Sequence, residues 1–113
     1  MVQNYNYKLL LIKLKAITLC KKKVMPVISM FYGLIISMYY LDNKQHHFPH
    51  IHVKYQNDEA IFKIPDGILL DGYLPNGKIK LVSAWIELHQ DELMADWELA
   101  STGQKIFSID PLK

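Results

Sequence analysis

The sequence predicts an α+β domain, a small antiparallel β-sheet with one long or bent C-terminal helix packed on one face. Three observations carry this. Residues 26–74 hold short runs rich in β-branched and aromatic residues, broken by turn signals. Residues 78–101 switch to an apolar repeat of helical period. The chain has 113 residues, half of them apolar, which suits one domain with a real core and excludes wholesale disorder.

The elements follow in order. After Pro26, the run VISMFYGLIISMYYLD reads as one long strand, or as two strands bent at Gly33. Met30, Tyr32, Met38 and Tyr40 are expected to pack the sheet. Residues 42–45, Asp-Asn-Lys-Gln, form a turn. The following HHFP is a loop, because Pro49 cannot donate within a central strand. His50 to Tyr55 is the next strand, joined through Gln56, Asn57 and Asp58 to its hairpin partner Glu59 to Ile64. In that partner Ala60, Phe62 and Ile64 share one face, and Glu59, Ile61 and Lys63 share the other. Pro65-Asp66-Gly67 is a turn in which proline presets φ and glycine accepts φ > 0. Ile68 to Leu74 forms a further short strand, and Pro75-Asn76-Gly77 closes the sheet.

From Lys78 to Ser101, Ile79, Val82, Ile86, Leu93, Trp97 and Ala100 make an apolar stripe, widened by Trp85. Lys80, Glu87, Asp91 and Glu98 lie on the solvated side. Gly103 fits a C-terminal cap. Asp91 fits the cap of a second helix, so one bent helix and two short ones both agree with the pattern. Residues 105–112 form a tail that either adds a strand or packs loosely.

Charge divides the chain in two. Residues 1–24 carry six lysines and no acid, whereas residues 25–113 carry seven lysines against eleven acids. A basic leader thus precedes a mildly acidic single domain over 25–113. The leader fails as a signal peptide, since Lys13 and Lys15 interrupt its apolar region. It fails as a lipoprotein anchor, since Leu19 before Cys20 is too bulky, and as a membrane span, since its apolar run is too short. Two readings stay open: a basic amphipathic segment on a membrane surface, or upstream sequence ahead of a start at Met25. The one cysteine, Cys20, excludes an internal disulfide and suits a reducing cytoplasmic setting. No arginine occurs, so the usual bidentate fork for phosphate and guanine is missing and strong nucleic-acid binding is disfavoured.

The most informative local feature is the string HHFPHIHV, with His46, His47, His50 and His52 inside seven residues. Imidazole titrates near neutrality and is the commonest metal ligand. Two apart on a strand, His50 and His52 point to one face, while Ile51, Val53 and Tyr55 point to the other. His46 in the preceding loop can fold back over the pair. Three readings remain. His46, His50 and His52 form a catalytic-type site for zinc or a similar divalent metal; or they are metal-free acid–base or phosphate-contacting groups; or they are structural histidines bonded to backbone carbonyls. On the helix, His89, Glu92 and Asp96 project toward the apolar side, unless a break near Asp91 turns Glu92 and Asp96 outward. Histidine–hydrophobe–histidine on a strand also occurs in relaxase-type nucleases beside a helical tyrosine, but residues 78–101 contain no tyrosine. Trp85 and Trp97 read as core anchors, and Ser29 and Ser37 have no sequence neighbour that would activate them.

Several motifs in order resemble the small bacterial family known as domain of unknown function 4160. They are MPVISMFYG at 25–33, His46-His47-Phe48-Pro49-His50-Ile51-His52-Val53, Gly72-Tyr73-Leu74-Pro75, and WIELHQDEL followed by Trp97-Glu98-Leu99-Ala100. The resemblance spans 25–112 and makes His46, His50 and His52 the motif histidines, with His47 extra. It implies a protein without an assigned activity, often encoded beside another small domain in arrangements like toxin–antitoxin pairs. The leading expectation is therefore a cytoplasmic protein of toxin–antitoxin type that binds a small partner from a neighbouring gene through the histidine face. The alternatives are a histidine-dependent, metal-assisted hydrolase or nuclease, and a non-catalytic interaction module with structural histidines. A free sheet edge would also permit a homodimer.

Overall fold

The computed structural model describes residues 26–40 and 48–113. Expectations for residues 1–24, for the turn at 42–45 and for His46 and His47 lie outside the described residues. Within them the chain runs β1 (Val27–Phe31), β2 (Leu34–Ser37), β3 (His50–Tyr55), β4 (Asp58–Lys63), β5 (Leu69–Gly72), α1 (Asn76–Leu88) and α2 (Gln90–Ser101). The strands form one antiparallel sheet in sequence order, β1-β2-β3-β4-β5. The α+β class is as expected.

The run after Pro26 is two strands. Tyr32 and Gly33 turn the chain in two residues, both at positive φ (50° and 81°), the geometry whose twist matches a tight hairpin. Lys78 pins this turn: its Nζ donates to the Tyr32 carbonyl at 2.8 Å and lies 4.7 Å above the Tyr55 ring. Met30 and Tyr32 do not pack the sheet as expected but are exposed. A bulge between Val27 and Ser29 shifts which β1 residues share a face, and Tyr32 stands at the turn.

Alternation decides the core elsewhere. Ile36, Val53 and Ala60 are register partners in one row, as are Ile51 and Phe62 in the next, and all are buried. Val82, Trp85, Ile86, Leu93 and Ala100 from the helices complete this core. Each large apolar side chain so buried contributes about 1.5–3 kcal/mol.

The expectation of one long or bent helix is corrected. The chain leaves α1 at His89 (φ −125°, ψ 30°) and enters α2 at the next residue. The apolar stripe continues across the joint, which is why its period alone did not reveal two helices. α2 ends in a Schellman turn, with Gly103 (φ 75°) donating to Ala100 and Gln104 to Leu99. The tail adds no strand. It packs by burying Ile106 and Ile109, by an Ile109 N–H bond to Ile28 (2.8 Å), and by accepting the Trp85 indole N–H at Asp110 (2.8 Å). No described helix is long and apolar enough to cross a membrane.

Candidate functional site

Opposite the core, the sheet presents a second face built by register. Val27, Ser37, His52, Ile61 and Asp71 are successive cross-strand partners, one from each strand. Ile35, Lys54 and Glu59 make the next row. Together with Tyr39 they line a depression of about 470 Å³, within the size range of sites that receive ligands or partner side chains. Its lining is apolar at Val27, Ile35 and Ile61, and polar at Ser37, His52, Lys54, Glu59 and Asp71.

His52 is half-buried on this face, its ring stacked on Tyr39 with centroids 4.2 Å apart and planes 16° from parallel. His50 shares the face by strand period but is only 1% exposed. Its ring meets His52 edge-on at 5.2 Å and Trp97 of α2 at 5.0 Å. Nδ1 of His50 lies 2.7 Å from the Phe48 carbonyl, so Nδ1 carries the proton and donates. Tyr39, His52, His50 and Trp97 thus form a ring-to-ring series from the depression to the second helix. His52 reaches the open face, whereas His50 is covered between His52 and Trp97. His46 lies outside the described residues, so this geometry brings together two of the three motif histidines. Among the described residues no group of three or more His, Cys, Asp and Glu is placed to hold a metal ion.

The helical trio is divided. At the helix joint, Nδ1 of His89 lies 2.7 Å from Oε1 of the exposed Glu92. Asp96 is buried at 3% exposure, whereas the break expected near Asp91 would have turned it outward. The joint comes earlier, at His89, and the stripe keeps its phase. Oδ1 of Asp96 accepts the Phe107 N–H at 3.0 Å, and Oδ2 is buried without a hydrogen-bond partner. Burial pushes this carboxyl above its ordinary range; the Phe107 bond opposes the shift and the Glu92 charge adds to it.

Ser37, Tyr39, Lys54, Glu59 and Asp71 were not foreseen as site residues. They come from separate strands or their ends, around residues 37–39, 54–59 and 71, and these segments meet only through register. The available signal was alternation: Ser37 and Tyr39 stand out of phase with the buried Leu34, Ile36 and Met38.

The model of the family described as Domain of unknown function (DUF4160) matches residues 33–98, more than half of the chain. The chain belongs to the DUF4160 family. The DUF4160 match takes in β2 to β5, α1 and most of α2, and with them His50, His52 and the preceding loop. No curated protein and no solved structure matches the chain.

Proposed function

We propose that this DUF4160 protein is one member of a two-protein module of toxin–antitoxin type, acting in the cytoplasm. It binds its partner through the open part of the sheet face that carries His52, with His52 and Tyr39 at the centre of the contact. The observation that carries this reading is the depression across that face, lined by apolar Val27, Ile35 and Ile61 together with polar Ser37, His52, Lys54, Glu59 and Asp71. Val27 within it, and Met30 as the register partner of its Ile35, are exposed, leaving apolar area to cover. The sequence resemblance to small proteins encoded in pairs supplies the class of partner.

Co-expression with the product of the adjacent gene tests the proposal. The two chains should co-purify, and one should relieve growth inhibition caused by the other. His52→Ala should weaken the complex while leaving the fold intact. Neither complex nor inhibition would end this reading.

A second reading, a histidine-dependent hydrolase or nuclease, has one observation in its favour. His52 has Ser37 as its register partner and shares the depression with Glu59 and Asp71. Cleavage of RNA or DNA by purified protein, lost in His52→Ala, would establish it; equal rates in both proteins would remove it.

A further inference from the structure

The two edges of the sheet are treated differently. The outer side of β1 receives the tail through the Ile109 N–H to Ile28 bond. Among the described residues, no backbone group pairs with the outer side of β5. Apolar side chains nonetheless stand exposed along it, Ile68 at 54% and Tyr73 at 63%, with Leu69 between them. An open, apolar strand edge invites another strand.

The geometry shows how the edge is held shut. Tyr73 donates its N–H inward to Glu59 at 2.9 Å. By alternation the N–H of Gly72 points outward, where a further strand would need it. There Oδ1 of Asp71 accepts it, at 2.8 Å. The carboxylate occupies the place of an incoming carbonyl. Gly72 has no side chain to obstruct that approach, and it can have none, since a Cβ would lie 2.2 Å from the Glu59 carbonyl oxygen. In antiparallel self-pairing with Leu70 opposite Gly72, the two Asp71 carboxylates would confront each other, so a second copy is a poor occupant.

We infer that β5 is a strand-addition site for an extended segment of a partner protein that carries a lysine or arginine next to apolar residues. The cation draws the Asp71 carboxylate off Gly72, and the freed N–H joins the new ladder. The apolar residues cover the exposed Tyr73, Ile68 and Leu69. This rests on the partner-binding reading above and adds where and how the partner attaches, since Asp71 and Gly72 are also the β5 wall of the depression.

The test is an amide chemical-shift titration of the full chain with two synthetic peptides of alternating valine and threonine, one with lysine and one with glutamate at the centre. The lysine peptide should move the amides of Leu70, Asp71 and Gly72. The glutamate peptide should bind about three- to tenfold more weakly, the range of a cross-strand charge reversal. Asp71→Lys should invert the preference. Asp71→Ala should unguard the edge and raise self-association in sedimentation velocity. Amides of β5 that stay unmoved at millimolar peptide, or equal response to both peptides, overturn the proposal. The co-expressed complex separates it from the reading on which it rests. A complex weakened by His52→Ala but indifferent to Asp71→Lys would sink strand addition and keep the open-face contact; the opposite result would do the reverse.

Discussion

His52 within β3 and Tyr39, two residues past the end of β2, lie face to face, 4.2 Å between ring centroids and 16° between planes. The stack fixes the imidazole on the open part of this sheet face and leaves a flat, half-buried aromatic surface among the polar groups of the depression. Such a surface loses little side-chain entropy on binding, the property that makes rigid aromatic groups good anchors.

Binding and stability should therefore separate at His52. His52→Ala removes a stacked pair worth about 0.5–1.5 kcal/mol beyond its area, on a half-buried site. The domain should remain folded by circular dichroism with a modestly lower melting temperature. Partner affinity should drop by about tenfold or more, as for a central contact residue. Unchanged affinity would show that the contact lies elsewhere.

At His50 the order should reverse. Its ring is enclosed between His52 and Trp97 and tied to the Phe48 carbonyl. His50→Ala leaves a cavity and an unmatched carbonyl, at a cost of about 2–4 kcal/mol. Each kcal/mol lowers Tm by about 4–8 °C in a domain of this size. Trp97 fluorescence should change with it, because the two rings are neighbours. A variant as stable as the wild type would mean that His50 is not a packing residue.

The reasons for these different roles were only partly legible in the sequence. Alternation in His50–Tyr55 and in Glu59–Ile64 gave both faces correctly, because strand side chains have a strict period of two. Met30, expected to pack the sheet, is exposed instead, since the bulge after Val27 changes phase and leaves no mark in composition. Period also hid the break at His89, because the stripe crosses the joint unaltered. The site was legible where it is local, at His50 and His52. It was not where it depends on which strand lies beside which, as at Ser37, Tyr39 and Asp71.

Gly72 is one such register-dependent residue. Its φ of 84° and the Cβ position 2.2 Å from the Glu59 carbonyl oxygen leave no room for a side chain. Gly72→Ala must push β5 off β4 and should cost about 3 kcal/mol or more, near the upper end for single substitutions. Hydrogen exchange should show the loss first at Asp71 and Tyr73, whose amides face β4. Uniform exchange across the sheet would place the strain elsewhere.

The buried carboxyl of Asp96 predicts a pH dependence with a definite sign. Burial raises its native pKa above the unfolded value. Between the two, the native state holds more protons than the unfolded chain, so stability falls as pH rises through that window. The favourable contribution is complete below the ordinary aspartate value, about 3.9, and is gone once pH passes the raised native value. Asp96→Asn keeps an oxygen for the Phe107 N–H but cannot titrate. Urea unfolding of both proteins over a pH series should give a difference in stability, wild type minus variant, that declines with pH from about 4 and then levels. A difference that is flat or rises would mean that the Asp96 carboxylate is ionised and stabilised in place.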